Sequence, residues 1–114
     1  MVEPGFAAQL AQDLEPEDIR LVLGVFHQDV ERLTGVLDGN AAAADVGDFR
    51  RTCHALAGAA GAVGAVALEQ AARTAMTNGD LLPAQLPAIA AEIRTQAAAA
   101  LADMAAFLAA LPQG

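Results

Sequence analysis

Apolar residues spaced by three and four along Ile19, Val22, Leu23, Phe26, Val30, Leu33 and Leu37 constrain this chain more than any other feature. That spacing lines one face of an α-helix and matches no face of a strand. A second stripe of near-heptad period runs through Leu86, Ile89, Ile93, Ala97, Ala100, Met104, Phe107 or Leu108, and Leu111. Two such helices within 114 residues fit one small domain with a single core. Roughly a quarter of the residues are alanine, with four phenylalanines and no tryptophan or tyrosine. Helices carrying such small side chains pack with their backbones close together. The expected fold class is all-α.

Proline at a first helical position, flanked by carboxylates, places a helix start at Glu15-Pro16-Glu17-Asp18, and Gly39-Asn40 predicts its end near Asp38. Ahead of it, residues 4–12 form a short helical candidate that starts with Pro4 and carries Phe6 and Leu10 one turn apart. Ala41 to Ala44 reads equally as a last turn or as a linker. Asp45-Val46-Gly47-Asp48 resembles an N-terminal cap for a third helix that ends near Gly61. A fourth, from about Gly64 to Thr77, turns Leu68, Ala72, Ala75 and Met76 inward before Asn78-Gly79 stops it. Leu81-Leu82-Pro83 then leads into the last, long helix. Short connections favour antiparallel neighbours. The expected architecture is an up-and-down antiparallel four-helix bundle with a short N-terminal lid helix, one domain over residues 1–114.

The formal net charge is −8, and all six basic residues are arginines, scattered from Arg20 to Arg94 without a run. Nucleic acid is a poor partner for such a surface. Cys53 is the only cysteine, so no internal disulfide and no cysteine-based zinc cage can form, and two histidines are too few to propose a metal site. No basic segment leads into an apolar one near the N-terminus, and charge or helical periodicity breaks every other apolar stretch. The expectation is a soluble, cytoplasmic monomer that makes no membrane contact.

One residue stands off the apolar side of the third helix. On a helical wheel Phe49, Cys53, Leu56, Ala60 and Val63 cluster together, whereas His54 points about 100° or more from their centre. Its neighbours on the wheel are Gly47, Arg50, Gly58 and Gly61. Glycine inside a helix costs roughly 0.8–1 kcal/mol relative to alanine, so several glycines beside an outward imidazole point to a surface that another body approaches. The bland reading of Gly58 and Gly61 is close helix packing, and Gly61 also serves as a helix end. His27, at the edge of its stripe and without glycine neighbours, reads as structural or solvated. Cys53 faces inward as a small buried thiol.

The run His54-Ala55-Leu56-Ala57-Gly58, continued through Gly61, Gly64 and Ala65, resembles the signature of histidine-containing phosphotransfer (HPt) domains. That signature places a leucine two residues and a glycine four residues after the active histidine. Phe26, Asp29, Leu33, Leu37, Asp45, Phe49, Arg50 and Arg51 are similar to the preceding helix and connector of the family, and Leu68 to the helix that follows, so the likeness spans about residues 19–76. The resemblance implies a phosphorelay intermediate of a two-component pathway, without catalytic activity of its own. His54 would accept a phosphoryl group from the receiver-domain aspartate of a hybrid histidine kinase and pass it to a response regulator. It also implies no cofactor in this chain, with magnesium supplied by the partner receiver domain. An imidazole is partly neutral near pH 7 and nucleophilic, which suits that task.

The family often carries lysine three residues after the histidine, where this sequence has Ala57, and the chain contains no lysine at all. Arg50 and Arg51, one turn before His54, are the candidates for that charge, Arg50 being better placed on the His54 and Gly61 side; Arg51 alternatively bridges a nearby carboxylate. His54, Gly58, Arg50, Arg51, Ala57 and Gly61 are therefore the candidate phosphoacceptor and docking positions. Two other functions stay open at this point: a helical adaptor that binds receiver or kinase domains without being phosphorylated, and a dimerising bundle of a histidine kinase. The second needs a nucleotide-binding domain in trans, because no glycine-rich loop here follows a strand.

Overall fold

The computed structural model describes residues 3–112; positions 1, 2, 113 and 114 of the expected domain lie outside the described residues. The chain forms α1 (Ala8–Asp13), α2 (Pro16–Ala42), α3 (Val46–Val63), α4 (Val66–Thr77) and α5 (Leu86–Ala110), with one 3-10 turn at Pro83–Gln85. No strand occurs among the described residues. The stripes read from the sequence enter one core. Ile19, Leu23, Phe26, Val30, Leu33 and Leu37 are buried in α2, and Phe49, Cys53, Leu56, Ala60 and Val63 in α3. Leu86, Ile93, Ala97, Ala100 and Met104 join them from α5. Among the described residues no helix is long and apolar enough to cross a membrane.

Helix α2 packs against α3 and α5, and α4 against the same two. Polar contacts give the directions. Arg94 of α5 pairs with Asp38 near the end of α2, while Arg20 near the start of α2 donates to the Pro112 carbonyl at 3.0 Å beyond the end of α5. At the α2–α3 corner, Asn40 Nδ2 donates to the Asp48 carbonyl at 3.2 Å and to Thr52 Oγ1 at 2.7 Å. Thr52 is the buried polar side chain of this region, and its hydroxyl donates in turn to the Asp48 carbonyl at 3.0 Å.

Those Asn40 contacts explain why α2 runs four residues past the end expected at Asp38. Gly39 weakens the helix locally, but the amide of Asn40 is spent on α3 and Ala41 is buried, so continuing the helix satisfies more groups than stopping it. The terminating left-handed residue is Ala44, at φ 55°. Asp45 caps α3 as its sequence predicts, its Oδ1 accepting from Asp48 N at 2.9 Å. Helix α3 continues to Val63 rather than Gly61, because Ala60 and Val63 are still needed in the core and Gly64, at φ 76°, supplies the left-handed stop.

The N-terminal segment differs more. Residues 4–7 form turns, α1 begins only at Ala8, and no residue of α1 itself is buried. Phe6 and Ala7, ahead of the helix, do the burying. The Phe6 ring meets Phe26 and Phe107 edge-on, with centroids 6.4 and 6.0 Å apart. Ala7 N donates to the Val63 carbonyl at 2.7 Å, and the Glu3 carboxylate accepts from Ala67 N at 2.9 Å in the first turn of α4. Helix α4 has no side-chain cap of its own. Glu3 therefore caps it from across the turn and ties the segment to the α3–α4 junction.

Candidate functional site

Burial of one flank of α3 leaves Arg51, His54, Ala55, Gly58, Gly61 and Ala62 exposed on the other. His54 stands in the middle of this strip. Among the described residues the histidine ring engaged in a hydrogen bond is that of His27, whose Nε2 lies 2.8 Å from Glu31 Oε1, as expected for a solvated helix pair; His54 has no such partner. Gly58, one turn on, lies beneath open space: a Cβ built there meets nothing within 4 Å. An imidazole free to be approached and a cleared turn beside it thus share one helix face.

The strip has two different edges. Toward α2, Ala59 and Ala62 line a shallow groove with Val22, Val25 and Asp29, and Ala55 lines another with Arg32 and Val36. Val25 and Val36 are 57% and 45% exposed, which puts accessible apolar area on this side among the charged Asp29, Arg32, Asp48 and Arg51. Toward α4 the edge is polar. A Cβ on Gly61 would stand 3.0 Å from Glu69 Oε2, and Arg50 Nη2 donates to the Asn78 carbonyl just past the end of α4.

The two arginines expected beside His54 both have other work. Arg50 closes the α4 terminus, and its Nε is buried without a partner. Arg51 pairs with Asp48 and lines the α2-side groove. Its hydrogen bond to Asp48, reinforced by the Asp45 side chain, holds the Asp48 carboxyl below the ordinary carboxylate range. The same hydrogen bond raises the Arg51 guanidinium.

Ala57 requires a correction. It is only 1% exposed, so it is not part of a docking surface; on the helical wheel it falls between Cys53 in the core and Gly61, the position that abuts Glu69 of α4. The small side chain lets the two helices approach. Cys53 is buried as expected, and burial pushes its thiol up to about 11, leaving it protonated and unreactive near neutral pH. Sequence reasoning missed Asn40, Thr52 and Glu69, because their value lies in contacts between helices that periodicity does not register.

The fold and site define an all-helical domain that presents one mid-helix imidazole to solvent beside a cleared glycine turn. A sequence model of the Hpt domain matches residues 21–111, and the chain belongs to the Hpt domain family. Hpt domains are phosphotransfer modules of two-component phosphorelays that work with receiver domains. No curated protein and no solved structure matches the chain significantly.

Proposed function

We propose that this chain is a phosphorelay intermediate that takes a phosphoryl group on His54 from a receiver-domain aspartate and returns it to the aspartate of a response regulator. The observation that carries the reading is the free, exposed His54 ring within the Hpt match. The pairings described above support an up-and-down antiparallel four-helix bundle, with the N-terminal turn and α1 across one end; on this reading the chain acts as a single cytoplasmic, monomeric domain.

An imidazole nitrogen attacks phosphorus, the P–N bond forms, and the P–O bond to the partner's carboxylate breaks. The carboxylate leaves with the electron pair, and the proton on the other ring nitrogen passes to solvent. This chain positions the ring and offers the surface, while magnesium held by the receiver would supply the charge balance on the transferring oxygens. The receiver would dock along the seam of Val25, Val36, Ala55, Ala59 and Ala62, with Gly58 admitting its loops.

Receiver domains loaded with radiolabelled acetyl phosphate, mixed with the chain and magnesium, are expected to yield an acid-labile, base-stable label on this protein. A chain that binds these receivers yet never gains label is instead the non-phosphorylated adaptor, a reading favoured by Ala57 and by the engagement of both nearby arginines.

Gly58 separates docking from folding. Gly58→Ala should leave the fold intact and stabilise it by about 0.5–1 kcal/mol, since the Cβ enters open space and helix propensity improves. Gly58→Phe should fold as well but slow transfer from a receiver on the order of 10²-fold, the scale of a misplaced reacting pair. Labelling by a small donor, phosphoramidate, should be nearly unchanged in both variants. Equal receiver transfer in Gly58→Phe and wild type would place the docking surface elsewhere.

A further inference from the structure

We infer that Arg73, on α4, is the counter-charge for phosphorylated His54. This rests on the phosphoacceptor reading. The register of the α3–α4 pair carries it. Gly61 abuts Glu69 and Arg50 reaches Asn78, so the two helices run antiparallel with those positions level. One turn along α4 from Glu69 is Arg73; the corresponding turn back along α3 from Gly61 is Ala57-Gly58, which adjoins His54. On the wheel, His54 leans toward the same edge as Gly61 and Arg50, which is the edge α4 occupies.

On the α3 side no long side chain stands in the way, for Ala57 is a buried methyl and Gly58 has no side chain. A guanidinium released from Glu69 would then have room to swing toward His54, with no long residue needed on α3 itself.

Arg73 is also the arginine of this neighbourhood that can be released. Its Nε and Nη2 each lie 2.9 Å from Glu69 Oε2, in a pair where the arginine side chain is 53% exposed. Such exposed pairs contribute little. A phosphoryl group offers more negative charge than a carboxylate and three acceptor oxygens, so it competes well for a planar guanidinium. Arg50 would have to abandon the end of α4, and Arg51 is turned toward the α2 side with Asp48.

The test uses the full chain loaded with phosphoramidate, in which the donor's P–N bond breaks, ammonia departs and a P–N bond to His54 forms. The half-life of the acid-labile label is then followed in wild type, Arg73→Ala, Arg73→Lys, Arg50→Ala and Arg51→Ala. Arg73→Ala should shorten the half-life about fivefold, as expected for one lost charge-assisted contact, and should flatten its dependence on salt. Arg73→Lys should restore most of both, whereas Arg50→Ala and Arg51→Ala should resemble wild type. Unfolding curves confirm that Arg73→Ala is folded. A labelled wild type whose half-life and salt dependence are unchanged by Arg73→Ala, or changed instead by Arg50→Ala or Arg51→Ala, overturns this inference and leaves the relay standing. A wild type that takes label from neither phosphoramidate nor receivers removes both.

Discussion

His54→Gln is expected to abolish phosphoryl uptake from every donor while leaving the melting temperature within about 2 °C of wild type. The two halves of that expectation come from one geometric fact. The ring is exposed and has no hydrogen-bond partner among the described residues, so replacing it removes nothing that holds the bundle together. Glutamine matches the ring roughly in length and polarity and keeps the helix, but its amide nitrogen is not nucleophilic. The experiment compares label incorporation and circular-dichroism melting, and measures receiver binding by titration in parallel. Retained receiver binding with no label identifies His54 as the acceptor and separates docking from chemistry. Label persisting in the variant would move the acceptor to another residue. His27, held against Glu31 on α2, would be the next to test.

The helices were legible because their signals are local. Periodicity at three and four placed every buried residue of α2 from Ile19 to Leu37, and the Asp45 cap is a matter of four consecutive positions. The outward direction of His54 followed from the same wheel. What failed was decided between helices. Gly39-Asn40 reads as a stop until Thr52 and the Asp48 carbonyl arrive to bind the amide. Arg50 reads as a charge beside His54 until the Asn78 carbonyl past α4 claims it, whereas the Arg51 bridge to a nearby carboxylate, a contact within α3, was among the sequence's own alternatives. Ala57 is a docking candidate from its place in the motif, whereas packing buries it. Sequence spacing gives each residue's angle on its own helix, and only packing decides which angles remain in water.

Gly64→Ala is the substitution expected to damage the fold most for its size. Gly64 has φ 76°, a conformation that costs an L-residue roughly 1–2 kcal/mol. Strain is the smaller part. A Cβ there would fall deep inside the contact radius of the Gly5 carbonyl oxygen, which is backbone and cannot swing aside. The segment around Gly5 would have to lift, and with it would go the Ala7 to Val63 hydrogen bond, the Glu3 cap on Ala67 and the burial of Phe6. Burying a phenylalanine side chain contributes about 1.5–3 kcal/mol, so the expected loss is about 3 kcal/mol or more, and a melting temperature lower by about 10 °C. Gly61→Ala is the matched comparison. Its Cβ also meets a neighbour at 3.0 Å, but that neighbour is the carboxylate end of Glu69, which can rotate away, so the change should be close to neutral. The mechanism is tested by coupling. In a Phe6→Ala background the aromatic anchor is already gone, and Gly64→Ala should then cost little beyond the backbone strain. Costs that simply add would show that the N-terminal segment does not transmit the effect.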